Sequence, residues 1–228
     1  MKIQKEVSFI IKEFSSHELQ LSQNIFGLVP QSVYFNFDVD LTIDEDKHKL
    51  IYVYGLSGEG KTIFKDELKK QLIDEGYYVT DYDDIKIDEN AKISEIFDLE
   101  HDKEFLVRLF SSQGLFEMRI IFSKFGELSM GQQRRVKYMY MLYSVYKSKN
   151  ENRLSCVLID EFATFLDSLS AKVMAQGTRK FMNKMLPNTL LFAFGCNDHI
   201  CYTFEDLNLW LQNGKIYKIA EVTDEDRE

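Results

Sequence analysis

The stretch Gly55-Leu56-Ser57-Gly58-Glu59-Gly60-Lys61-Thr62 constrains this chain more than any other. It fits G-x-x-x-x-G-K-[ST] and lies between the apolar run Leu50-Ile51-Tyr52-Val53-Tyr54 and an amphipathic segment that begins at Ile63. A strand, a tight turn and a helix are expected in that order. Gly55, Gly58 and Gly60 let the backbone fold tightly enough for successive N–H groups to face phosphate oxygens, and the following helix adds the positive end of its dipole. In such a phosphate loop, which includes Ser57, Lys61 would reach the β- and γ-phosphates and Thr62 would hold Mg²⁺.

Composition bounds the rest. With 228 residues, 45% of them hydrophobic, the chain can bury one substantial core, so a single domain over residues 1–228 is expected. Its net charge of -9 leaves nucleic-acid contact to a local patch, and whether one exists stays open. No apolar run approaches the ~18 residues of a membrane span, and the charged amino terminus lacks a signal core, so a cytoplasmic location is expected. Cys156, Cys196 and Cys201 make no disulfide framework.

Within residues 1–49, segments 7–14 and 33–43 alternate apolar and polar side chains. They read as antiparallel strands around a turn at 27–30, forming a β part packed on the nucleotide side. Tyr34 or Phe26 could stack on a base, although core packing is the simpler role. After the loop, Phe64, Leu68 and Leu72 mark a helix that Gly76 can end, and 77–80 resumes strand character. Residues 81–104 carry ten acidic and three basic side chains and read as a solvated excursion; Asp81, Asp83 and Asp84 fit solvent better than a metal. Helical patterns at 102–113 and 118–125 follow, so that 81–135 forms a short helical insert.

That insert ends in Leu128-Ser129-Met130-Gly131-Gln132-Gln133-Arg134-Arg135, which leads into a helix rich in Met and Tyr reaching about residue 149. A serine, a small glycine and a helix amino terminus form a second anion site, which could close on a γ-phosphate held by another copy of the chain. Farther on, Cys156-Val157-Leu158-Ile159 makes a buried parallel strand ending in Asp160-Glu161. Ligands in open α/β sheets bind beyond such carboxyl ends, which puts Asp160 near Mg²⁺ and Glu161 near the attacking water. A strand at 189–194 ends in Gly195-Cys196-Asn197-Asp198-His199, and 207–220 reads as a hairpin turned by Asn213-Gly214.

The joint order of these motifs, with Phe165-Leu166-Asp167 between the last two, resembles the nucleotide-binding domain of ABC-type ATPases over residues 33–219. The resemblance implies an α/β P-loop fold with a mostly parallel core sheet, an antiparallel β part and a shortened helical part. It also implies ATP and Mg²⁺ as cofactors. By it, Lys61 and Thr62 belong to the Walker A motif, Ser129, Gly131 and Gln132 to the signature, Asp160 and Glu161 to Walker B with the catalytic glutamate, and Asp167 to the D-loop. A homodimer follows, with ATP sandwiched head to tail.

Two departures bear on function. Lys61 and Ser129 are 68 positions apart, a short interval that leaves the family's glutamine loop missing, unless Gln113 serves. The usual switch histidine is replaced by Asn197, which can bond a γ-phosphate but cannot carry a proton charge, so slow turnover is expected. His199 is the other candidate. Zinc at Cys196, His199 and Cys201 lacks a fourth ligand, and the Met and Tyr stripe reads as core. Arg134, Arg135, Lys137, Arg179, Lys180 and Lys184 read as solvated helix faces. The short insert and the Walker B surroundings are similar to soluble, non-transporter members found in prokaryotes and phages. A slow ATPase acting with an unknown protein partner is the expectation, with a membrane partner disfavoured. Its alternatives are a non-catalytic ATP-dependent clamp and a transporter subunit.

Overall fold

A computed structural model describes residues 2–12, 14–27, 33–148, 154–164, 166–223 and 225–227. The strands are β1 (Lys2–Lys12), β2 (Val33–Thr42), β3 (Leu50–Tyr54), β4 (Tyr78–Asp81), β5 (Ser155–Ile159), β6 (Thr189–Gly195), β7 (Leu207–Gln212) and β8 (Lys215–Glu221). They form one sheet in the order β1-β2-β8-β7-β3-β6-β5-β4. From β7 through β3, β6, β5 and β4 every pairing is parallel, whereas β1/β2 and β7/β8 are antiparallel. The carboxyl ends of β3, β5 and β6 consequently share one edge, with Tyr54 level with Gly195 and Ile159 level with Ala193.

Among the described residues, seven α-helices decorate the sheet: α1 (Ser16–Phe26), α2 (Lys61–Asp74), α3 (Ile93–Ile96), α4 (Lys103–Ser112), α5 (Met118–Phe122), α6 (Met130–Ser148) and α7 (Ser168–Met185). Side chains alternate across β3 as strand geometry requires. Ile51 and Val53 face the core under α2, with Phe64, Leu68 and Leu72, while Leu50 and Tyr52 face the larger core under α6 and α7. The Met and Tyr stripe is core as expected: Tyr138, Met139, Met141, Leu142 and Tyr143 are buried. Among the described residues, no helix is long and apolar enough to cross a membrane.

The first two strands are antiparallel as expected, and β2 pairs in parallel with β8 through Asp38 and Lys215, so they extend the central sheet. Two expectations need correction. Between β1 and β2 stands α1, started by a capping box in which Ser15 and Glu18 bond reciprocally and ended at Gly27 with φ 67°. Residues 28–30 of the expected turn lie outside the described residues, as does the side chain of Tyr34, while Phe26 is exposed. Lastly, the 81–104 segment is less solvated than its charge suggests. Ile93 and Phe97 enter the core, and Asp81 is only 2% exposed.

That burial is possible because two lysines of α2 reach the end of β4. Lys65 pairs with Asp81 at 3.4 Å and with Asp83, while Lys69 lies 2.9 Å from Asp81 and 2.8 Å from Asp84. Burial alone would push the Lys65 ammonium down, but its bond to Asp83 and the charge of Asp81 outweigh that and its pKa stands raised. Asp81 behaves reciprocally: burial would raise it, yet the Lys69 hydrogen bond and its other partners leave its pKa lowered. The network ties the helix behind the glycine loop to the start of the helical insert.

Candidate active site

The loop after β3 adopts the geometry its glycines permit. Gly58 and Gly60 take φ of 85° and 97°, where a side chain would be strained, and Gly60 leads directly into α2. Gly55 is buried, and a Cβ there would lie 2.9 Å from the Leu211 carbonyl of β7. The hairpin turn closes on the loop from the same side. Asn213 and Gly214, at φ 48° and 75°, make the expected tight turn. Glu59 accepts the Asn213 N–H on its carboxylate and the Gly214 N–H on its carbonyl at 2.9 Å. Sequence reading passed over Glu59 because its partners lie more than 150 positions away.

Opposite the loop stands the end of β5. Lys61 Nζ donates to the carbonyls of Gly55 at 2.7 Å and Leu56 at 2.9 Å, so its ammonium curls over the loop. The Thr62 hydroxyl donates to Asp160 Oδ2 at 3.1 Å, and Asp160 Oδ1 accepts the Glu161 N–H at 2.9 Å. Glu161 turns away from the strand with φ 54° and its carboxylate is exposed. A cleft of about 330 Å³ results, walled by Ser57, Gly58, Gly60, Lys61, Thr62, Asp160 and Glu161, with Thr164, Gly195 and Cys196 completing it.

The donor set fits a magnesium-bound triphosphate. A glycine loop and a lysine face one side, while a hydroxyl and a carboxylate 3.1 Å apart offer the oxygen ligands a hard cation takes. No group of three or more His, Cys, Asp or Glu placed to hold a metal by itself occurs among the described residues. Burial pushes the Cys201 thiol up to about 11.

The remaining candidates stand apart from this cleft. Ser129 is exposed at the head of α6, where its hydroxyl accepts the Gln132 N–H at 3.4 Å and Gln132 Oε1 accepts the Ser129 N–H at 3.0 Å. Gly131 has open space where a Cβ would sit. Asp167 caps α7, accepting the N–H groups of Leu169 and Ser170 at 3.1 and 3.0 Å. Asn197 is also spent on a cap: its Oδ1 accepts the His199 N–H at 3.0 Å, and Cys196 rather than Asn197 lines the cleft. Gln113 is buried against Thr178 at 3.4 Å, away from the loop. Four of the basic residues expected in solvent hold specific partners. Arg134 bonds Glu161 at 3.2 Å, Arg135 bonds the Gly131 and Gln113 carbonyls, Lys137 lies over the Tyr82 ring, and Arg179 bonds Asp206 at 2.6 Å.

No protein-family model matches the chain, and no curated protein matches it in sequence. Solved structures do resemble it, and the class they define is the ATP-binding cassette: the chain has the mixed α/β P-loop fold of these domains. Among them is the dimeric structure of MJ0796, a bacterial ABC transporter cassette, with 16% identity, a TM-score of 0.61, and coverage of 87% of this chain and 95% of that one. The same cassette in a dimeric post-hydrolysis state, bound to ADP and Pi, gives 17% identity and a TM-score of 0.63 over 98% and 99%. A third is cbiO1 from Clostridium perfringens, part of the ABC transporter complex cbiONQ, at 12% identity and TM-score 0.57 over 81% and 80%.

Proposed function

We propose that this chain is a slow, cytoplasmic ATPase that works as a head-to-tail homodimer and couples nucleotide-driven closure to a protein partner. One observation carries the reading: Lys61, Thr62, Asp160 and Glu161, from two separate motifs, meet around a single cleft at the carboxyl edge of the sheet. The dimeric structures of MJ0796, one of them holding ADP and Pi, support it by likeness of fold.

In this account the loop amides and Lys61 hold the β- and γ-phosphates, and Thr62 and Asp160 would hold Mg²⁺, which would supply charge neutralisation at the phosphate oxygens. Glu161 orients or deprotonates the water that attacks the γ-phosphorus in line. Ser129, exposed at the head of α6, and half-buried Gly131 beside it serve the nucleotide of the other copy, adding an amide-rich helix end to its γ-phosphate. Asp167 and Gln132 border that composite site. Asn197, its amide bonded to the His199 N–H beside the cleft, leaves the switch position without a proton carrier, which keeps turnover slow.

Steady-state phosphate release tests this reading. Wild type should exceed Glu161→Ala by about 100-fold, the usual worth of a general base. Equal rates, with both proteins still dimerising in ATP, would favour the non-catalytic clamp.

A further inference from the structure

Within one chain, the glutamate of the candidate site is bonded to the helix that carries the second anion site. Arg134 Nη1 donates to Glu161 Oε2 at 3.2 Å across 27 positions of sequence. Arg134 lies on the second turn of α6, immediately behind Ser129 and Gly131. The residues beside it fix that turn as a stiff unit. Gln133 Nε2 donates to the carbonyls of Phe125 at 3.2 Å and Leu128 at 3.1 Å, and Arg135 donates to Gly131 at 3.2 Å and Gln113 at 3.0 Å. Any displacement of the Ser129 end is therefore carried to the Arg134 guanidinium.

We infer that Arg134 is a positioning residue that parks the Glu161 carboxylate on α6 and releases it when the same chain's Ser129 end engages the other copy's nucleotide. The inference rests on the ATPase reading above. Held against the guanidinium through Oε2, the carboxylate is fixed on α6 rather than free to swing onto the attacking water, so hydrolysis at one site waits on closure at the other. Both side chains are partly solvated, at 36% and 57% exposure, and an exposed ion pair is weak enough for a ligand to break. Glu161, at φ 54° just beyond β5, has its carboxylate against Arg134 of α6.

The test compares wild type, Arg134→Met and Arg134→Lys for binding of a fluorescent ATP analogue, phosphate release against ATP concentration, and hydrogen exchange in the first turns of α6. Arg134→Met should raise kcat two- to fivefold at unchanged KM, lower the Hill coefficient toward one, and show without nucleotide the faster exchange that wild type shows only with ATP. Arg134→Lys should keep wild-type values. Wild-type kcat, Hill coefficient and exchange in Arg134→Met, or a reduced kcat, would overturn the coupling while leaving the ATPase reading intact. A wild-type chain that binds no ATP analogue would instead overturn the ATPase reading, and the coupling with it.

Discussion

Thr62 Oγ1 and Asp160 Oδ2 lie 3.1 Å apart, joining the first turn of α2 to the end of β5. Two residues 98 positions apart thus present a pair of oxygens to the cleft. Because Thr62 is exposed and Asp160 half-buried, the bond adds only about 1 kcal/mol to folding. Asp160→Asn should therefore leave the urea midpoint nearly unchanged while shifting the Mg²⁺ dependence of phosphate release to at least tenfold higher concentration. A variant that unfolds early without a changed Mg²⁺ dependence would make the pair structural.

Lys61 should prove similarly separable from stability. Its ammonium bonds carbonyls of its own loop and is partly open to the cleft. Lys61→Ala is expected to weaken ATP binding by at least about tenfold, or 1.4 kcal/mol. Isothermal titration alongside thermal melting reads both quantities on one sample.

Asp81 makes the opposite prediction. Removing this buried carboxylate leaves Lys65, itself 2% exposed, with Asp83 alone and should cost about 3 kcal/mol of stability. Replacing both, as Lys65→Met with Asp81→Leu, should recover much of the loss, because the apolar pair leaves no buried charge unpaired. Acid and base should both weaken the network. The lowered carboxylate of Asp81 contributes stability above its ordinary value of 3.8 that is lost as pH falls through its folded value. The raised ammonium of Lys65 contributes stability below 10.5 that is lost as pH rises through its folded value. Urea unfolding across pH should show wild type, and not the apolar double variant, losing stability at both ends from this source.

Two glycines separate packing from recognition. Gly177 of α7 lies so close to the Ser112 carbonyl of α4 that a Cβ would clash with it, so Gly177→Ala should cost about 1–3 kcal/mol. Gly131 meets nothing within 4 Å and sits in a helix, so Gly131→Ala should raise stability by about 0.5–1 kcal/mol. Phosphate release should nevertheless fall in Gly131→Ala, since the added methyl stands where the other copy's phosphate is to approach. An unchanged rate there would argue against the second anion site.

The loop, the buried strands and the Asn213-Gly214 hairpin were legible because each is specified by neighbours in sequence. The capping box of α1 was legible too, in the spacing of Ser15 and Glu18, but was passed over in favour of strand alternation on either side. Other features depend on partners that only the fold supplies. Asp81, Asp83 and Asp84 read as solvent-facing because nothing local reveals that Lys65 and Lys69 of the preceding helix point at them. Arg134 looked like one cation in a basic helix face until β5 brought Glu161 to it. Asn197 was placed correctly at a strand end, but whether its amide faced the cleft or capped the next turn depended on backbone angles that a sequence pattern does not carry.

If Ser129 and Gly131 of a second chain complete the cleft of the first, ATP must hold two chains together. Light scattering behind size exclusion, on Glu161→Gln with Mg²⁺ and ATP, reads this from mass. The mass should shift from the monomer value of 26.8 kDa to twice that, and adding Ser129→Arg should abolish the shift. A chain that binds ATP under those conditions and stays at the monomer mass would contradict a two-chain site.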